Sequence, residues 1–184
     1  INELEAVKNI IAKVNMVKNT KWLLKNNQRV HVNIGTSHII GTVKKLSKAI
    51  RSNESSNVLI NLQRPIVVLN GQKFIIRSLS PSVTIAGGEI LHQQNKEYGK
   101  KELSFLLKNL TCETKERLLS LVSFSWKDIK KISHYSKILN ISNEKVLDLA
   151  KKVGINIFKD FLYLKSNLMK CSNIIEEVIL KYHY

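Results

Sequence analysis

Between residues 10 and 92 the chain alternates. Ile10, Ala12, Val14 and Met16 form one apolar face; Val30, Val32 and Ile34 form another, with His31 and Asn33 pointing the opposite way. A period of two sends successive side chains to opposite faces of a strand, so these segments predict strands with one buried side. Further strands are predicted over 39–46, 58–62, 66–69, 74–79 and 83–91. Turn signals separate them: Asn26-Asn27, Gly35, the polar run 52–56, Asn70-Gly71 and Ser80-Pro81. Asn-Gly reaches the positive φ values of a tight two-residue turn, so 66–69 and 74–79 are expected to form an antiparallel hairpin. Short strands at this spacing predict an all-β barrel or sandwich. Residues 1–9 fit either a helical turn or the stub of an earlier connection.

Residues 93–101 are polar and without period, which predicts a linker. From 102 onward the period is helical. Leu103, Phe105, Leu106, Leu107 and Leu110 mark a first helix. Thr114 and Arg117 flank the start of a second, running through Leu118, Leu119, Leu121 and Val122. Ser125 with Asp128 three residues on has the spacing of a capping box opening a third helix through Ile129, Ile132 and Tyr135. Ser142 is placed to cap a fourth, over Val146, Leu147, Leu149, Ala150 and Val153, which Gly154 ends. Two short strands follow around Lys159-Asp160, and a last helix over about 167–182. Three helices followed by a hairpin is the winged-helix order, with the Ser142 helix in the recognition position. The expected architecture is a multi-domain β + α chain: a barrel over 1–92, a linker over 93–101 and a winged helix over 102–184.

Charge changes the picture from fold to partner. The 184 residues carry 30 Lys and Arg against 14 Asp and Glu, a net charge of +16. An excess of that size opposes compaction by self-repulsion and points to a polyanion, nucleic acid first; a Lys/Asn-rich coding bias is the bland alternative. No run approaches the roughly 20 apolar residues of a membrane span, so no membrane partner is expected. Cys112 and Cys171 belong to no ligand cluster, as expected of free thiols in the cytoplasm. No paired carboxylates, Ser/His/Asp set, metal ligands or P-loop suggest catalysis, and no cofactor or metal is expected.

Two blocks resemble a known family. One is Arg29-Val30-His31-Val32-Asn33-Ile34-Gly35-Thr36 followed by Gly41-Thr42-Val43. The other is Arg64-Pro65, Gly71-Gln72-Lys73-Phe74-Ile75-Ile76-Arg77-Ser78, Ser80-Pro81 and Thr84-Ile85-Ala86-Gly87-Gly88-Glu89-Ile90-Leu91. Over about residues 10–92 they resemble the third domain of translational GTPases of the elongation factor Tu class, and most closely the selenocysteine-specific elongation factor family. Ala86 stands where the family pattern has its first glycine of three. A winged helix directly after this barrel is characteristic of the selenocysteine-specific branch.

The resemblance implies an antiparallel, six-stranded-type barrel and an interior fragment of a longer factor. GTP and Mg would belong to a nucleotide domain absent here, so the fragment is expected not to be an enzyme. Selenocysteinyl-tRNA is the implied direct partner; the ribosome and selenoprotein mRNA would be reached through the full-length protein. A monomer is expected. The implied tRNA-contacting positions are His31, Ile40, Arg64, Arg77, Ser78 and Leu79, because an A-form stem presents phosphates and 2′-hydroxyls for readout by shape and charge. Arg77 fits bracing its loop as well as it fits contact, and His31 fits an ordinary outward side chain equally well. Ala86-Gly87-Gly88 reads as a strand bend or bulge ahead of a phosphate cradle, and Lys73 as a solvated edge lysine. In the winged helix, Lys145, Lys151, Lys152 and Lys159 could face nucleic acid, although the helix lacks arginine and a spacer module fits it better. A winged-helix DNA-binding regulator with a fused β domain is the competing reading. His134 and His183 read as packing or surface residues.

Overall fold

The structure, a computed structural model, describes residues 5–44, 48–94 and 96–182. The Leu46 end of the expected third strand and His183 lie outside them. The described residues form two compact units, 1–112 and 113–184.

In the first unit, six antiparallel strands close on themselves: β1 (Ala6–Met16), β2 (Arg29–Ile34), β3 (Ser37–Lys44), β4 (Ser55–Val67), β5 (Lys73–Arg77) and β6 (Thr84–Gln94), in the order β1-β4-β3-β2-β5-β6. The alternation described above supplies the interior. Ile10, Ala12 and Val14 from β1, Val30 and Val32 from β2, Val58, Ile60 and Leu62 from β4, and Ile76 from β5 are all fully buried in one cluster. Gly35, at φ +56, opens the two-residue β2–β3 turn that sets the register Ile34 to Ser37.

Four expectations change here. Asn70-Gly71 does not close a hairpin: β4 pairs with β1 and β3, β5 pairs with β2 and β6, and residues 68–72 cross between non-neighbouring strands. The positive φ of Gly71, +84, serves that connection instead. Second, 58–62 and the first two residues of 66–69 belong to one strand, which ends at Val67. Pairing with β1 jumps from Asn9–Asn61 to Val7–Ile66, so a bulge absorbs residues that the partner does not match. Pro65 lies within it, where its missing N–H removes no ladder bond. Third, Lys73 is on no edge, since the barrel is closed; it pairs with Glu89 on β6. Fourth, Gly87 and Gly88 sit inside the β6 ladder, opposite Ile75 and Phe74. A Cβ on Gly88 would stand 2.2 Å from the Lys13 carbonyl oxygen and 2.6 Å from the Phe74 ring, so glycine is there for close strand approach. The bulge expected of this segment is next to it, between the pairs Ile76–Ala86 and Arg77–Thr84.

The expected linker is shorter than 93–101. Gln93 and Gln94 complete β6, and α1 (Lys100–Asn109) begins inside it. This helix, expected to open the winged helix, packs on the barrel instead. Asn57 of β4 donates through Nδ2 to the carbonyls of Leu107 and Leu110, at 2.9 and 2.8 Å, holding the C-terminal turn of α1. Leu103, Leu106 and Leu110 are buried on the same side of α1, and Leu59, which alternates away from the barrel interior, is buried too. At the other end, Gly99 N–H donates to Glu102 at 2.8 Å, and Tyr98 bonds His92 at 2.8 Å. Burial pushes the Tyr98 phenol up to about 12.

The second unit contains α2 (Thr114–Phe124), α3 (Ile132–Leu139), α4 (Asn143–Lys152), the hairpin β7 (Asn156–Phe158) and β8 (Phe161–Tyr163), and α5 (Lys165–Tyr182). Asn140, at φ +54, stops α3, and Ser142 caps α4 two residues later, accepting from Lys145 N–H at 3.3 Å. Gly154, at φ +69, follows α4 as expected. Lys131 bridges to Phe161, placing a third extended segment beside the hairpin, as in a winged helix. The expected capping box does not form. Ser125 back-bonds to the Leu121 carbonyl at 2.9 Å and residues 125–127 make a 3-10 turn, so α3 starts only at Ile132. Removing the α4 cap by Ser142→Ala should cost about 1 kcal/mol. The thermal transition of this unit should then fall by about 4–8 °C, as followed by circular dichroism; an unchanged midpoint would show that the cap is idle.

Candidate nucleic-acid interface

Pairing register decides which outward side chains are neighbours. His31 on β2 lies opposite Ile40 on β3 and Arg77 on β5, so three of the expected contact residues form one row across three strands. His31, Ile40 and Arg77 are each half-buried on the outside. Arg64 belongs to the next strand. Gly41 pairs with Leu62, so Arg64 lies two residues past the end of that ladder, in the β4 bulge. Gln63, Arg64 and Pro65 are all exposed there. Three strand spacings of about 4.8 Å put Arg64 and Arg77 roughly 14 Å apart around the barrel.

The 78–83 loop is built from within. Ser78 N–H donates to Val83 O at 2.9 Å, Ser78 Oγ donates to the Pro81 carbonyl, and Val83 N–H donates back to that hydroxyl at 3.1 Å. Ser78 is 3% exposed, so its side chain is a loop staple. Arg77 Nη2 reaches across the loop to Ser82 O at 2.9 Å, which supports the bracing role. The Ser80-Pro81 peptide is cis. Leu79, at 40% exposure, faces outward, as do residues 80–83.

In the second unit the cations are less concentrated than their count suggests. Lys145, Lys151 and Lys152 are exposed on α4. Lys152 is paired with Asp148 at 2.7 Å, and Asp148 lies within one turn of Lys145 as well. Lys159 sits at the hairpin tip, at φ +50, with its ammonium over the Phe158 ring. His134 is half-buried at the start of α3, and burial holds its imidazole below the usual range. Among the described residues no group of His, Cys, Asp or Glu could hold a metal ion, and no helix is long and apolar enough to cross a membrane.

Residues 10–97 match the family model described as the selenocysteine-specific elongation factor, β-barrel domain. The barrel is a SelB-family domain. In fold the chain is similar to the crystal structure of the bacterial selenocysteine-specific elongation factor EF-Sec, with a TM-score of 0.63 and 18% identity over 95% of this chain. The chain spans 26% of the length of that structure. No curated protein matches it. The SelB-family match ends before α1, although α1 packs on the barrel through Asn57. On the outer face of this SelB-family barrel, sequence reasoning missed Arg29 and Lys44. Arg29 precedes His31 by two on β2 and pairs with Thr42; both it and Lys44 are exposed. The alternation that put His31 outside also puts Arg29 there, and extending it by one step would have found this residue.

Proposed function

We propose that the outer face formed by β2, β3, the β4 bulge and the 78–83 loop binds the T-stem and acceptor side of selenocysteinyl-tRNA. On this reading the second unit is a winged-helix spacer leading toward mRNA-binding modules of a longer translation factor. GTP and Mg would be handled elsewhere in that factor, and this chain would not itself hydrolyse nucleotide.

The observation that carries the reading is the row Ile40–His31–Arg77, with Arg64 thrown outward beside it. Residues far apart in sequence meet on one face of a closed barrel. That face offers cations for phosphates, and uncharged and main-chain surface for ribose edges. Such a face reads an A-form stem by shape, because the shallow minor groove presents sugars and phosphates with little base information. The lysines of α4 lie around Asp148 and include no arginine, which fits a spacer better than a base reader.

The test is competition. Labelled RNA hairpin with the length of a tRNA acceptor and T-stem should be displaced by unlabelled tRNA and not by an equal mass of duplex DNA, with affinity falling steeply as salt rises. Preferential displacement by duplex DNA would favour a DNA-binding winged helix and sink the proposal.

A further inference from the structure

We propose that α1 carries a second phosphate-binding strip, formed by Lys100, Lys101 and Lys108, that grips the backbone of the same folded RNA as the barrel face. This rests on the RNA-binding reading above and extends it to a helix outside the family match.

The helix has two sides of opposite character. Leu103, Leu106 and Leu110 are buried against the barrel. At 100° per residue, Lys100, Lys101 and Lys108 project from the other side, with Ser104 between them. They line an open groove of about 490 Å³ with Ser104, Phe105 and Asn109. The three ammonium groups are uncompensated: among the described residues no ion pair reaches any of them. Glu102, the one acid of the helix, is turned to the Gly99 N–H and caps the N-terminus.

Two features argue that these lysines are placed for a ligand and not for the helix. Lys100 and Lys101 occupy the first turn, where the macrodipole disfavours cations. They therefore cost helix stability where they stand. The platform is also fixed: Asn57 holds the last turn to β4 through two hydrogen bonds. A strip of cations on a held helix, with a half-buried aromatic beside it, suits a sugar–phosphate chain, which offers negative charge at regular intervals and apolar ribose between. An anionic membrane surface is disfavoured, because the apolar side of α1 is already buried in the protein and cannot enter lipid.

The whole chain carrying K100Q/K101Q/K108Q is compared with the natural chain and with Arg64→Glu, using tRNA transcript as probe and titrating sodium chloride. Glutamine keeps helix propensity, and unchanged circular dichroism confirms the fold. The expected result is about tenfold weaker binding near 0.1 M salt and a log K against log salt slope shallower by about two. Natural affinity and slope in the triple variant, with Arg64→Glu weakened, overturns the strip and leaves the barrel reading standing. A weakened triple variant with Arg64→Glu unaffected supports the strip and overturns the barrel reading. Natural behaviour in both overturns both. Lysine-dependent binding to phosphatidylserine vesicles, with tRNA binding unaltered, also overturns the strip in favour of a membrane.

Discussion

The double variant Arg29→Glu/Arg64→Glu should lose about two orders of magnitude in affinity for a tRNA acceptor and T-stem hairpin. Both side chains are exposed, and among the described residues no ion pair engages either. Reversing them therefore leaves no buried orphan and spares the fold. Each contact between a charged group and a phosphate is worth about 1.5 kcal/mol or more, and every 1.4 kcal/mol is about tenfold in the dissociation constant. The slope of log K against log salt should fall by about two, one for each lost phosphate contact. Arg77 is deliberately left alone. It braces the 78–83 loop through Ser82, so its substitution would mix folding with binding. Fluorescence anisotropy across a salt series reads both quantities, and an unchanged affinity would remove β2 and the β4 bulge from the RNA surface.

Gly88→Ala should cost the barrel about 3 kcal/mol or more, whereas Gly87→Ala should be nearly neutral. The added Cβ at position 88 would lie 2.2 Å from the Lys13 carbonyl oxygen, a main-chain atom that moves only if β1 and β6 separate. Overpacking commonly costs about 1–3 kcal/mol, and a clash with main chain falls at or above the top of that range. At position 87 the nearest atom is the Phe74 carbonyl oxygen at 3.6 Å, an ordinary contact. For a domain of this size the first change should lower the melting temperature by about 12 °C or more, and the second by less than about 4 °C. Calorimetry of the two variants side by side decides it: equal melting temperatures would mean that the strands do not approach so closely there.

The strands were legible because their signal is local. Alternation at residues 10–16 and 30–34 specifies which side of each strand is wet, which fits a sandwich as well as a barrel; closure was implied by the family resemblance. What could not be read is who pairs with whom. Asn70-Gly71 has the composition of a hairpin turn, yet it carries the chain between strands that are not neighbours, because turn chemistry specifies a local φ and not the partner. The same limit applied to α1. Its leucines predicted a helix correctly, but its assignment to the barrel depends on Asn57, some fifty residues earlier, and nothing in the local pattern announces that bond. At the candidate surface, His31 and Ile40 were visible as outward or flanking positions. Their alignment with Arg77 is a consequence of register. Ser78 entered through the family resemblance; its hydroxyl is engaged within the loop by Pro81 and Val83, a pairing that the local sequence does not announce.

The continuity of β4 sets a length. Asn57, which clamps α1, and Arg64, in the outward bulge, lie on one unbroken strand, seven positions apart. At about 3.3 Å per residue that interval is at most roughly 23 Å, and no loop intervenes to stretch or shorten it. On the RNA-binding reading, patches joined by slack chain would accommodate polyanions of many shapes, whereas a bulge and a helix clamp carried on one strand would favour those whose charges recur at a fixed interval.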